Sequence, residues 1–351
     1  MGRSTRVIIG GVDTHAATHH AAVIDSAGRI LADAQFPASP HGYASMLTWM
    51  RSHGTLGRVG VEGTGAYGAG LARYLHEQQV EVLEVPRPDR RIRRQRGKSD
   101  PIDAEAAART VLAGKASGAP KIADGPIEAI RMLRVARIGA VKAKTAAVNT
   151  LHAMLVTAPD ALRTELKGLS PAQLVAACTK LRPDMTKLGD PAQAAKAALR
   201  SIAVRARQLE LESRSLRKQL DELTATAAPT TSAIFGLGPD TVSALLVTIG
   251  DNPDRLRSEA AFARLCGVAP IPASSGKTNR HRLHRGGDRT GNRALHIATI
   301  VRLRYDIRSR AYADRRTTEG LSMPEIIRCQ KRYLAREVFH ALRTDFSKLS
   351  T

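Results

Sequence analysis

The sequence predicts an α/β region followed by an α region: a mixed sheet with helices packed on it, a long helical stretch, and a second, mainly helical compact part. Three observations lead there. Strand and helix signals alternate over the first 120 residues. Glycine nearly vanishes across 127–155 and 191–224, where Ala, Leu, Arg, Lys and Glu dominate, the composition of long helices. Small-residue turns and short apolar runs return after Pro229. The boundaries expected from these shifts are 1–120, 121–230 and 231–351.

In the first region, Arg6 to Asp13 (RVIIGGVD) is a short apolar run. Ala21 to Asp25 and Arg29 to Ala34 flank a turn at Ser26-Ala27-Gly28 and read as a hairpin, so three successive antiparallel strands are expected. Gly42 to His53 carries Tyr43, Met46, Leu47 and Met50 at helical spacing. A strand over Gly57 to Glu62, a helix over Gly68 to Gln79 and a strand over Val80 to Val85 complete a βββαβαβ order, with a further helix after it. In the middle stretch Ile202, Leu209, Leu216 and Leu223 recur every seven residues, which suits a coiled coil or an amphipathic helix packed within its own chain. Further on, Phe235-Gly236-Leu237-Gly238-Pro239 precedes an apolar helix through Val242, Leu245, Leu246 and Ile249. This is the pattern of a helix-hairpin-helix, whose turn offers Gly236 and Gly238 backbone N–H groups to a phosphate; a helix start with an early proline explains the same residues.

The 351 residues are enough to bury roughly three quarters of the unfolded surface. Hydrophobic residues make up 43% but aromatics only 3%, so the core is expected to be built from Ala, Val, Leu and Ile. Lys and Arg number 54 against 32 Asp and Glu, a net charge of +22, which favours a polyanionic partner, nucleic acid before a membrane surface. No run approaches the roughly 18 apolar residues of a spanning helix, and Val7 to Ile9 is too short for a signal peptide, so the expected location is cytoplasmic. Cys178, Cys266 and Cys329 lack CxxC spacing and read as structural.

Four carboxylates stand where chemistry is built. Asp13 and Glu62 each end an apolar strand, and neighbouring strands would bring both acids to one sheet edge. Asp100 and Asp103 stand three apart at a helix start around Pro101, so they share a face. Taken alone that last pair also fits helix capping. Four acids together suit two divalent metals about 3.5–4 Å apart, which activate an attacking oxygen and stabilise a leaving one. Arg87, Arg90, Arg91, Arg93, Arg94, Arg96 and Lys98 run directly ahead of Asp100, placed to draw a nucleic-acid backbone toward it.

The second constellation is C-terminal. A small-residue loop holding Ser274, Ser275 and Gly276 leads through Lys277 into Arg280, His281, Arg282, His284 and Arg285. A serine there suits attack on phosphorus with guanidinium groups balancing charge. His281 and His284 lack two further ligands and are not read as a metal site. Gly286 to Asn292 opens a helix, Ala294 to Tyr305, where Arg293 is placed to meet another phosphate.

Gly11-Val12-Asp13-Thr14-His15, Glu62-Gly63-Thr64-Gly65 and Lys98-Ser99-Asp100-Pro101-Ile102-Asp103-Ala104 resemble the N-terminal domain of DEDD-type insertion-sequence transposases, the IS-one-ten group. Phe235 to Pro239, Ser274 to Lys277, Gly291 to Leu295 and Arg328 to Tyr333 resemble that family's C-terminal transposase domain. The resemblance implies a RuvC-like nuclease domain of ribonuclease-H fold over 1–120, with Asp13, Glu62, Asp100 and Asp103 holding Mg²⁺ or Mn²⁺. It implies an oligomerising coiled coil over 121–230. Over 231–351 it implies a transposase domain whose nucleophile, on the Ser-Gly pattern, is Ser275, with the adjacent Ser274 still open. It further implies a recombinase that cuts and rejoins DNA, guided by a noncoding RNA and working as a homo-oligomer, dimer or tetramer. The alternatives are a hydrolytic RuvC-like Holliday-junction nuclease and a non-catalytic DNA- or RNA-binding protein.

Replacing Arg91, Arg93 and Arg94 together by Gln is expected to weaken DNA binding and flatten its salt dependence, by roughly 0.9 in log–log slope for each phosphate no longer neutralised. Titration of a labelled duplex at several salt concentrations checks this, and an unchanged slope would remove the basic run from the phosphate contacts.

Overall fold

The structure is a computed structural model that describes residues 6–85, 99–116, 118–121, 123–251, 256–276 and 280–349. The chain folds into two compact units, one from the described residues of 1–128 and 249–257, the other from those of 129–248 and 258–351.

In the first unit, strands β1 (Val7–Thr14), β2 (Thr18–Asp25), β3 (Ile30–Pro37), β4 (Thr55–Glu62) and β5 (Glu81–Val85) form one sheet in the order β3-β2-β1-β4-β5. β1, β2 and β3 pair antiparallel, whereas β4 and β5 join β1 in parallel, as the expected βββαβαβ order requires. The β2–β3 turn is closed by Asp25, whose carboxylate accepts the amides of Ala27 and Arg29. Those donors, Arg29 foremost, hold the Asp25 pKa below the usual carboxylate range. β2 starts three residues before the apolar run that marks it in the sequence. His19 is fully buried, and its ring stacks on Tyr43 with centroids 5.6 Å apart, so a polar-looking residue serves as core.

Alternation along the strands sends consecutive residues to opposite faces. Ile8, Val12, Val59 and Val61 pack with Met46, Leu47 and Met50 of helix α1 (Pro40–Ser52) and with Leu71 and Leu75 of helix α2 (Ala69–Glu77). The other face is covered by helix α3 (Asp100–Leu112). It lies unusually close because β1 and β4 present glycines to it. A β-carbon on Gly11 would overlap the Ala104 carbonyl oxygen and the Ala108 nitrogen, and one on Gly60 would stand 2.6 Å from Val111 and 2.9 Å from the Ala107 oxygen. Alanines at 104, 107 and 108 complete a contact in which helix backbone meets sheet backbone.

The second unit holds most of helix α4 (Pro126–Val156), then α5 (Asp160–Leu166), α6 (Pro171–Thr179) and α7 (Pro191–Ala227). Leu151, Leu162, Leu166, Leu174, Cys178 and Leu199 form a small core that closes the ends of α4 and α7, each leucine contributing roughly 1.5–3 kcal/mol by burial. The heptad seen at Ile202, Leu209, Leu216 and Leu223 is only half-buried. The buried seam of α7 is instead Leu199, Ala206, Ser213, Leu220 and Ala227, also seven apart and offset by three from the first set. Together they make the two inward positions of a heptad. The second is faint in the sequence because three of its five members are Ala or Ser.

The chain then passes through α8 (Pro229–Ser232), α9 (Pro239–Ile249), α10 (Glu259–Leu265), a two-stranded ribbon of β6 (Ile271–Pro272) and β7 (His281–Arg282), and helices α11 (Arg289–Tyr305), α12 (Ile307–Thr318) and α13 (Met323–Leu349). Fully buried Asp345 of α13 accepts the amides of Thr230 and Thr231 and the Thr231 hydroxyl, so α8 is capped by α13. Cys178 and Cys266 are buried thiols and Cys329 is half-buried; burial pushes the Cys266 pKa up to about 12, which keeps it protonated.

Gly11→Ala is expected to destabilise the protein by about 1–3 kcal/mol through overpacking against α3. Gly139→Ala, in α4 where the new methyl meets nothing within 4 Å, is expected to be neutral or stabilising by up to about 1 kcal/mol. Denaturant melts of the two variants check the pair.

Candidate functional site

The close seating of α3 is what assembles the acids. Asp13 lies two residues beyond Gly11, and Glu62 two beyond Gly60, so both carboxylate-bearing residues fall on the face that α3 covers. Their strands pair in parallel with Val12 opposite Val61, and Asp13 and Glu62 are the next residues of each. The Thr14 hydroxyl donates to the Glu62 carbonyl at 2.8 Å and ties the two strand ends together. Gly63, with φ +69, turns the chain away immediately after Glu62.

From above, α3 brings its first turn to this edge. Ser99 is its N-cap but makes no side-chain capping bond, and Asp100 is the first helical residue rather than the cap. The capping explanation of Asp100 therefore loses its geometry. Asp103 is 4% exposed and Asp13 6%, whereas the Asp100 side chain is about two-fifths exposed. Burial raises the Asp13 pKa; His15 opposes this, and the nearby Asp103 and Asp100 carboxylates add to it.

His15 joins the acids, although it is not among the ligands expected from the sequence. Its Nε2 lies 3.2 Å from an Asp13 oxygen and 3.2 Å from an Asp100 oxygen, yet makes a well-directed hydrogen bond to neither. The ligand atoms of Asp13, His15 and Asp100 all fall within 4.8 Å of one another. One nitrogen and two carboxylate oxygens converging without satisfying each other is a donor set that fits a divalent cation. The one signal in the chain is its spacing: His15 stands two residues beyond Asp13.

In the second unit, the ribbon pairs Ile271 with Arg282 and Pro272 with His281. Ala273 donates to the Arg280 carbonyl, and the Ser274 Oγ accepts the Arg280 amide at 3.3 Å, so Ser274 is engaged in closing the loop. Ser275 is exposed beside Gly276, whose φ of +56 makes the turn, and no partner for its hydroxyl occurs among the described residues. Arg280, Arg282, Arg285 and Arg293 are exposed or half-exposed. Lys277 lies outside the described residues, as do Arg87, Arg90, Arg91, Arg93, Arg94, Arg96 and Lys98.

Gly236, with φ +90, leads into α9, and the neighbouring Phe235 carbonyl accepts Arg302 Nε at 2.8 Å. Nothing lies within 4 Å of where a Gly238 side chain would stand, so that backbone is open to approach. At the same helix start Asp240 pairs with Arg137, and its carbonyl accepts Arg134. The preceding helix, α8, is a single turn.

Residues 10–158 match a transposase family model of the DEDD, IS110 type, and residues 230–314 match one described as "Transposase IS116/IS110/IS902 family". The chain belongs to the IS110-type DEDD transposases. The five-stranded mixed sheet is consistent with the ribonuclease-H-like DEDD domain of that family. The chain is also 34% identical over 111 residues to "Insertion element IS110 uncharacterized 43.6 kDa protein" of Streptomyces coelicolor. That alignment covers 30% of this chain and 27% of the relative, so the chain spans about a quarter of the curated relative it matches. Among the described residues no helix is long and apolar enough to cross a membrane.

The raised Asp13 pKa carries a sign. The folded state holds the proton more tightly than the unfolded chain, so without metal this group opposes folding at neutral pH, and the opposition fades as pH falls through its raised value. Asp13→Asn is therefore expected to raise the metal-free Tm at pH 7 while abolishing any further rise on adding Mg²⁺ or Mn²⁺. Thermal melts with and without the cation check both halves.

Proposed function

We propose that the protein is a transposase that cuts and rejoins DNA at the ends of an insertion element, with Ser275 as nucleophile and Asp13, Glu62, Asp100 and Asp103 as the metal-holding group. The observation that carries this reading is the convergence of acidic side chains, with His15, at one sheet edge of a strongly basic chain that belongs to a transposase family. A bound divalent cation would supply Lewis-acid stabilisation of phosphoryl oxygens. Asp13, Asp100 and His15 are the groups best placed to hold it, with Asp103 near enough to act on Asp13 and Glu62 at the end of the neighbouring strand.

The serine step is an in-line transfer. The Ser275 Oγ–phosphorus bond forms as the phosphorus–O3′ bond breaks, the hydroxyl proton passes to a base, and the 3′ oxygen leaves as a hydroxyl. The 5′-phosphate is then held on the serine. A 3′-hydroxyl from another strand reverses the exchange and releases the serine, so bond energy is conserved and no water is consumed. Ser275 is favoured over Ser274 because the Ser274 hydroxyl already accepts the Arg280 amide. The exposed guanidinium groups of Arg280 and Arg282 suit charge developing on the phosphate.

The proposed partners are element-end and target DNA, a noncoding guide RNA that reads sequence by base pairing, and further copies of the chain. The exposed Val204 and Leu211, seven apart on α7, support an oligomer built on that helix.

Labelled element-end DNA incubated with protein, its co-purified RNA and Mg²⁺ is expected to give a protease-sensitive slow band on a denaturing gel. Ser275→Ala is expected to lose the band and Ser274→Ala to keep it, at reduced yield. Asp13→Asn is expected to abolish strand cutting and leave DNA affinity within about threefold. Cut DNA without an adduct in any lane would instead establish the hydrolytic junction nuclease.

A further inference from the structure

The second unit contains a cavity of about 460 Å³ between the ribbon, the loop after α10, and helices α12 and α13. It is large enough for one nucleotide and too small for a duplex. The ribbon contributes Arg280 and Arg282 to its wall, and the helices contribute Arg316, Lys331 and Arg332. The one carboxylate among its described lining residues, Glu325, is already engaged by the Ser322 hydroxyl and by Arg328.

Three of the lining residues, Arg316, Arg332 and His284, each also carry a buried polar atom without a hydrogen-bond partner among the described residues: Arg316 Nε, Arg332 Nη1 and a ring nitrogen of His284. A buried, unsatisfied guanidinium N–H is costly unless an acceptor arrives. The neighbouring guanidinium nitrogens are held by Glu319 and by Glu259, so the forks are fixed in direction. Lys331, 6% exposed, donates to Asn292 Oδ1 at 2.6 Å, and Asn292 in turn donates to the Cys266 and Gly267 carbonyls, which locks the loop after α10 to α13. Burial holds the Lys331 pKa below its usual range. Tyr333, exposed in a chain poor in aromatics, lines the same cavity and is braced edge-on by Tyr312 at 5.8 Å.

We infer that this cavity binds one unpaired nucleotide of a DNA strand, its phosphate taken by Arg316, Arg332 and Lys331 and its base stacked on Tyr333. Cations that track a backbone beside an aromatic platform are the chemistry of single-strand recognition. The choice of DNA rests on the proposed role of Ser275, which sits on the same ribbon as Arg280 and Arg282.

The test is anisotropy of a labelled single-stranded DNA dodecamer with the full chain, in EDTA, over several salt concentrations. The Arg316→Gln/Arg332→Gln pair is expected to weaken binding at least tenfold and to reduce the log–log salt slope by about 0.7, the share of one phosphate on a single strand. Tyr333→Ala is expected to weaken it about tenfold, with Tyr333→Phe within twofold of wild type. Arg336→Gln removes one charge beside the same Glu259 but lies off the cavity wall, and is expected to stay within twofold. Should the arginine pair lose its fold, Arg282→Gln on the exposed rim and the two Tyr333 variants decide alone. An equal loss in Arg336→Gln, an unchanged affinity in Tyr333→Ala, or tighter binding of the same sequence as RNA would each overturn the inference. No cleavage is read here, so failure leaves the serine chemistry standing, and absence of a serine adduct leaves this binding result intact.

Discussion

The distance between α3 and the sheet is set by two side chains that are absent. Gly11 on β1 and Gly60 on β4 let the backbone of α3 rest on the backbone of the sheet, with Ala104, Ala107 and Ala108 as the spacers. Asp100 and Asp103 belong to the first turn of that helix, and Asp13 and Glu62 lie one alternation beyond the glycines. Any ordinary side chain at Gly11 would lift the helix and carry its acids away from Asp13. Packing and chemistry therefore use the same contact: the residues that stabilise the layer also hold the carboxylates together.

Assembling acids this way is electrostatically unfavourable, and Asp13 carries the sign of it. The group facing Asp13 and Asp100 is His15, and Asp13 remains raised in pKa by burial and by its fellow carboxylates. A chain with a net charge of +22 has no shortage of lysines and arginines for salt bridges. Elsewhere it uses them freely, as in Arg137–Asp240, Arg302–Glu337 and the Arg332–Glu259–Arg336 group. The raised pKa of Asp13, beside His15 and Asp100, is the kind of perturbation that accompanies a functional site.

The second unit shows the converse arrangement. There the gathered groups are cationic: Arg280, Arg282, Arg316, Lys331 and Arg332 line a cavity whose carboxylate among the described residues, Glu325, is engaged. The Asn292 side chain bonds two loop carbonyls and Lys331 at once, so the motif around Gly291-Asn292 is first a structural tie between loop and helix. The first unit thus gathers carboxylates and the second gathers cations, one set suited to a metal and the other to a phosphate.

Much of this was legible in the chain itself. Period-two apolar runs and turn residues mark the five strands in order, helical composition marks α4 and α7, and carboxylates at strand ends mark Asp13 and Glu62, because local propensity and alternation act over a few residues. What stayed hidden depends on neighbours remote in sequence. The early start of β2 needs Tyr43 to stack on His19; the buried seam of α7 is written in alanine and serine, which carry no strong pattern of their own; His15 becomes a candidate ligand only when α3 delivers Asp100 to it. The cationic cavity joins residues some sixty-six positions apart, from Gly267 to Tyr333. The sequence by itself determined which elements form and which charges they bear, since those follow from short-range sterics and composition. Only the tertiary structure decided which charges meet, because that depends on how closely one backbone can approach another.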